Sequence, residues 1–142
     1  MRYAYPANLE WEPDRGAVTV TFDELPGATF GASEGEALSR AEDLLETALS
    51  CFTDEGLPTP EPGPANGRPL VSPRPLVAAK LALHDAMLAA GLSNAELGRR
   101  LDLDEKAVRR LRDPLHRSHI GQVEAALRQL GKRLEVRVVA AA

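Results

Sequence analysis

The chain has 142 residues, 44% of them hydrophobic and 27% charged, with a formal net charge of −4. Those values fit an ordinary globular protein of one or two small domains. Its single cysteine, Cys51, excludes an intrachain disulfide framework and fits a reducing compartment. Nothing approaches the roughly 18 consecutive apolar residues of a membrane span. Met1 to Pro6 lacks the apolar core of a signal peptide. The expected location is cytoplasmic, with no membrane partner.

The net charge hides a reversal along the chain. Residues 1–67 carry thirteen Asp/Glu against three Arg, a balance of −10, and residues 68–142 carry fourteen Lys/Arg against eight Asp/Glu, a balance of +6. A basic half can bind nucleic acid by displacing counterions, whereas an acidic half repels nucleic acid and favours a cationic protein or a metal. The plainer alternative is two solvated charged faces.

The first half opens with strand signals. Asn8 to Glu12 alternates polar with apolar, and Ala17 to Phe22 puts Val18, Val20 and Phe22 on one face. Pro13-Asp14-Arg15-Gly16 between them predicts a hairpin connection. After Leu25-Pro26-Gly27 a third short strand is expected near Ala28–Ala32. Ser33 and Glu36 form a capping box. Behind it Ala37, Ala41, Leu44, Leu45, Ala48, Leu49 and Phe52 recur at helical spacing, with Gly56 as C-cap. Cys51 is expected in the core beside this stripe. Prolines 58, 60, 62, 64, 69, 73 and 75 then predict a stiff linker over 61–74.

In the second half Pro75 can start a helix running to Ala90, with Val77, Leu81, His84 and Leu88 inward. Ser93, with Glu96, caps a second helix reaching Leu101. Asp104 caps a third through Arg112, ended by Pro114. Ser118 caps a fourth, in which Ile120, Val123, Leu127 and Leu130 share a face before Gly131. Leu134–Val139 reads as a terminal strand. The expected class is α+β, with a sheet-and-helix domain at 1–60, the linker, and a helical domain at 75–142.

Two short helices joined by a tight turn predict a helix-turn-helix. The segment Leu92 to Leu111 resembles the Cro/repressor type, with Ala95, Leu97, Leu101, Val108 and Leu111 where that type packs its core. Asp102 stands where a glycine is usual in the turn. The resemblance implies that Asn94 clamps a phosphate and that Glu105, Lys106 and Arg110 read bases. It leaves Arg109, Arg112, His116 and Arg117 to hold the DNA backbone. Solvated arginines on a plain helical bundle are the alternative.

The early hairpin, Leu25-Pro26-Gly27, Ser33 with Glu36, and Asp54-Glu55-Gly56-Leu57-Pro58 with Pro60 resemble, in that order, the HicB antitoxin family. Pro75 to Lys80, the helix-turn-helix, and Leu130 to Val136 resemble its DNA-binding branch. The resemblance implies a reduced ribonuclease-H-like first domain without catalysis. That domain would cover a small basic HicA-like toxin ribonuclease. The second domain would bind double-stranded operator DNA and repress its own operon. Glu10, Trp11, Glu12, Asp14, Asp23, Glu24, Asp54 and Glu55 are the candidate toxin contacts. Trp11 is either an apolar anchor or a core residue. A palindromic operator needs at least a homodimer, with half-sites about 34 Å apart, and the terminal strand is a candidate pairing edge.

Other chemistry is not expected. Adjacent Asp23 and Glu24 would point to opposite faces of a strand, a poor start for a two-metal nuclease. No Cys/His spacing resembles a zinc site. Gly27 and Gly31 do not make a phosphate loop, and 4% aromatics give no stacking platform for single strands. No cofactor, metal or catalytic residue is assigned. The rival function is a one-component repressor whose first domain senses a ligand or only dimerises.

Overall fold

The computed structural model describes residues 1–140. The architecture is α+β: strands β1 (Tyr5–Glu12), β2 (Ala17–Phe22) and β3 (Ala28–Gly31) precede helix α1 (Glu34–Asp54). Strand β4 (Leu70–Val71) follows, and then helices α2 (Pro75–Ala90), α3 (Asn94–Leu101), α4 (Glu105–Arg112) and α5 (Ile120–Gln129). Two compact units result, one of Met1–Leu49 with Pro60–Arg74, the other of Ser50–Thr59 with residues 75–140.

The first unit is a four-stranded antiparallel sheet in the order β3-β2-β1-β4. Alternation sends Ala7, Val18, Val20 and Phe22 to the buried face, and Ala37, Ala41, Leu45 and Leu49 are the buried side of α1. Gly31 sets how close the helix comes, because a Cβ there would collide with the backbone of Ala37. The Ser33 hydroxyl accepts from Glu36 N at 3.2 Å, while the Glu36 carboxylate reaches back to Ala32 N at 3.1 Å. Arg40 ion-pairs with Glu36, donates to Phe30 O at 3.0 Å and lies over the Phe30 ring, blunting the β3 edge.

The proline-rich stretch corrects the expected linker. Pro60–Arg74 belongs to the sheet unit, and Leu70–Val71 pair antiparallel with Tyr5–Pro6. Prolines bar a helix there but permit a short edge strand. Tyr5 Oη donates to Pro60 O at 2.6 Å, and Arg68 donates to Pro64 O, Ala65 O, Asn8 and Asp23. Glu46 on α1 is 2% exposed and accepts from Arg74 N, Nε and Nη2 at 2.6–3.2 Å.

In the second unit, α2 runs through the middle of the bundle, so its burial is nearly all round rather than one stripe. Ala79, Leu83, Ala86 and Met87 meet Leu97, Val108, Leu111, Val123, Ala126 and Leu127. Leu88, expected inward, is exposed, and so are Cys51 and Ile120. His119, not Ser118, is the N-cap of α5 and makes no side-chain cap bond. The expected terminal strand is not formed: the described residues from 132 have no ladder partner. Leu134 alone in that expected strand packs against the core as a partly buried residue. Among the described residues no single helix is long and apolar enough to cross a membrane.

Candidate nucleic-acid interface

Local sequence builds the α3–turn–α4 unit. Ser93 Oγ accepts from Glu96 N at 3.1 Å, and Asp104 Oδ1 accepts from Ala107 N at 2.7 Å, so both helices start on side-chain caps. Between them Asp102 takes the left-handed conformation at φ 56°, and Leu103 N donates to Gly98 O at 2.8 Å. A Cβ on Gly98 would lie 2.5 Å from Leu103 O. The turn's glycine requirement therefore sits inside α3, while aspartate is accommodated at the left-handed position.

Leu97, Val108 and Leu111 are buried as expected, but Ala95 is exposed and Leu101 only partly buried. With Val108 and Leu111 turned inward, Glu105, Lys106, Arg109 and Arg110 are exposed together on α4. Arg109 Nη2 is 2.7 Å from Glu105 Oε1, so these two side chains hold each other along the helix. His116 and Arg117 are exposed on the exit turn. Beside them a cavity of about 560 Å³ is floored by Leu76, Leu103, Ala107 and Leu111 and rimmed by Arg110 and Arg117.

Arg112 has a different setting from its neighbours. It is half-buried, with Nη1 donating to Asn94 Oδ1 at 2.7 Å and Nη2 2.8 Å from His84 Nδ1. His84 in turn contacts Leu57 O through Nε2 at 2.8 Å. Burial holds the His84 imidazole below its ordinary value, and Arg112 pushes the same way. The guanidinium ties the end of α4 to the start of α3 and to α2. It also occupies the side-chain oxygen of Asn94.

Lys80 was not expected to matter, and it is fully buried. Its Nζ donates to Arg110 O and Asp113 O, each at 2.9 Å, and to His116 O. Burial lowers its pKa, with Asp113 opposing.

The acidic candidates fall into three groups. Glu10, Trp11, Glu12 and Asp14 lie on the β1–β2 hairpin, where Trp11 is 56% exposed and so is not core, and Glu12 pairs with Arg15. Asp23 and Glu24 are engaged within the sheet unit: Asp23 with Arg68 and Asn8, Glu24 with Gly63 N at 2.8 Å. These bonds, led by Asn8 and then Arg68, hold the Asp23 carboxyl below its ordinary value. Asp54 and Glu55 are exposed at the end of α1 and cluster with the helical unit.

No family model matches the chain. Whole-length relatives do. It is 40% identical over 136 residues to Antitoxin HicB of Pseudomonas fluorescens (strain Pf0-1), covering 94% of this chain and 93% of that protein. Antitoxin HicB 2 of Photorhabdus laumondii subsp. laumondii is 34% identical over 133 residues, 93% and 94% of the two chains. Antitoxin HicB of Escherichia coli (strain K12) is 33% identical over 137 residues, 95% and 99%.

Proposed function

The chain belongs to the HicB antitoxin family, and from that premise we propose that it is the antitoxin of a toxin–antitoxin pair. The sheet unit neutralises a small basic HicA-like ribonuclease. The helical unit binds operator DNA and represses its own operon. The observation that carries the reading is that the similarity runs through both units, over 94% of this chain and 93% of a relative named as an antitoxin.

The chemistry of each unit supports its half of the reading. The hairpin exposes Trp11 on one face of β1, with Glu10 and Glu12 alternating to the other face and Asp14 in the turn, an apolar anchor beside carboxylates that suits a cationic protein. Lys106, Arg109 and Arg110 project from a capped second helix, with Arg117 on its exit, as groove reading and phosphate contact require. Glu105 is the acceptor for a cytosine amino group when Arg109 releases it. Asn94 and Arg112 act chiefly on each other. The role assigns no catalytic residue and no cofactor.

A two-fold operator requires two copies. Val136, Val138 and Val139 are exposed on the segment from 132, so pairing of this segment between copies would complete the dimer. Light scattering at micromolar concentration tests that: a dimer is expected, and a monomer removes this arrangement. The functional test is capture of a partner from native cytosol by the full chain, with salt elution. The expected product is one small basic protein that cleaves RNA. Capture of none, with the bait folded, contradicts the toxin half.

A further inference from the structure

We propose that Lys80 is the positioning residue of the DNA-binding face: from inside α2, its ammonium fixes the end of α4 and the turn that presents Arg110, His116 and Arg117. The inference rests on the operator-binding reading above and concerns a residue that never meets the DNA.

Pro114 leaves the end of α4 short of one backbone donor. In a continuing α-helix the carbonyl of Arg110 would accept from the backbone nitrogen four residues on, which is Pro114 and has no hydrogen. The orphaned Arg110 O receives Lys80 Nζ at 2.9 Å instead. The same ammonium donates to Asp113 O, the cap residue of α4, and to His116 O beyond the proline. Three donors meet three carbonyls, the full capacity of the group. A positive charge at this helix end also complements the α4 dipole. Burying a lysine completely is costly unless its partners compensate, and a methionine would fill the same length while taking the ammonium from all three carbonyls and leaving Asp113 O only its bond from His116 N. What those carbonyls share is the backbone of 110–116, which carries Arg110 and His116 and leads to Arg117.

A purely space-filling lysine makes a different prediction, and a matched pair of variants separates the two. Lys80→Met is compared with Leu83→Ala, a fully buried neighbour on α2 whose side chain has no donor for these carbonyls. The full chain is titrated onto a duplex spanning the region upstream of its own coding sequence, with the folded fraction measured in parallel. Lys80→Met is expected to lose on the order of tenfold more affinity than Leu83→Ala at equal folded fraction, with a shallower salt dependence from loosened phosphate contacts. Equal losses with an unchanged salt slope would overturn the proposal while leaving the operator-binding reading intact. Failure of the wild type to bind the duplex would overturn both. Should Lys80→Met not fold, hydrogen exchange at Lys80 Nζ in the wild type decides. Protection in both the free protein and the complex is expected, and loss of protection on binding DNA overturns the proposal.

Discussion

His84 Nε2 lies 2.8 Å from Leu57 O while its Nδ1 lies 2.8 Å from Arg112 Nη2. A carbonyl only accepts, so Nε2 carries the hydrogen and Nδ1 accepts from the guanidinium. The arrangement requires a neutral ring, since a protonated Nδ1 would face another donor. Burial first, then Arg112, holds the pKa below the ordinary 6.5, with the Leu57 bond and the Asp85 charge opposing. The unfolded chain therefore takes up a proton at a pH where the folded chain does not. Stability is full above about pH 6.5 and is lost as pH falls through the folded value. Denaturant midpoints of the full chain should fall between about pH 7.5 and pH 5.5, and His84→Gln should flatten that slope. An unchanged slope in the variant would contradict the assignment.

Arg112 and Arg117 should separate in their effects. Arg112→Ala removes an internal tie among Asn94, His84 and α4 and should cost about 1–3 kcal/mol of folding stability, with the salt dependence of DNA binding preserved. Arg117→Ala should leave stability alone, weaken every DNA sequence alike and lower the salt slope by about one. The reverse pattern would mean that Arg112 swings outward to the phosphates.

Base reading should lie on the outward side of α4. Lys106→Ala and Arg110→Ala should each cost about 1–3 kcal/mol on the specific site and relax preference at one base position. Competition assays with single-base variants of the site measure this. Small, equal losses on all sequences would assign both residues to the backbone.

The turn gives a pair of opposite signs. Gly98→Ala drives a Cβ to 2.5 Å from Leu103 O and should destabilise by about 1–3 kcal/mol. Asp102→Gly relieves a left-handed non-glycine residue at φ 56° and should gain roughly 0.5–1 kcal/mol after glycine's larger unfolded-state entropy is counted. Urea unfolding of both variants checks the two signs together.

Glu46 should make the sheet unit acid-sensitive. Bonds from the Arg74 side chain, then its backbone amide, hold this carboxyl below the ordinary range against burial. A depressed folded value gives stability that is present above the unfolded pKa and is lost as pH falls through the folded one. Glu46→Gln should cost about 1–3 kcal/mol near neutrality and reduce the loss on acidification below the usual carboxylate range. Full acid sensitivity in the variant would place the effect elsewhere.

What the sequence discloses is what is local. Ser33 with Glu36, Ser93 with Glu96, and Asp104 lie within one turn of the groups they cap, and all three helix starts are where those residues predict. The alternation in β2 likewise identifies its buried face, whereas in β1 Leu9 is only partly buried and Trp11 is exposed. Lys80, Glu46 and Arg112 are opaque in sequence because their partners lie 18 to 36 residues away. One signal was available for Lys80: a lysine amid the apolar run from Leu76 to Leu83 has to meet acceptors inside. Leu88 and Ala95 failed because a single helical stripe cannot describe α2 at the centre of a bundle or the rim of α3. The proline-rich stretch misleads because the prolines between 60 and 74 bar a helix interior but say nothing against packing on a sheet edge.

The most direct test of the antitoxin role is RNA cleavage by the captured small basic protein, with the full chain added in rising amounts. Cleavage is expected to stop once the chain is stoichiometric, and Trp11→Ala is expected to raise the amount required. Cleavage that continues with the folded chain in excess would contradict the role and leave a DNA-binding protein whose sheet unit serves another purpose.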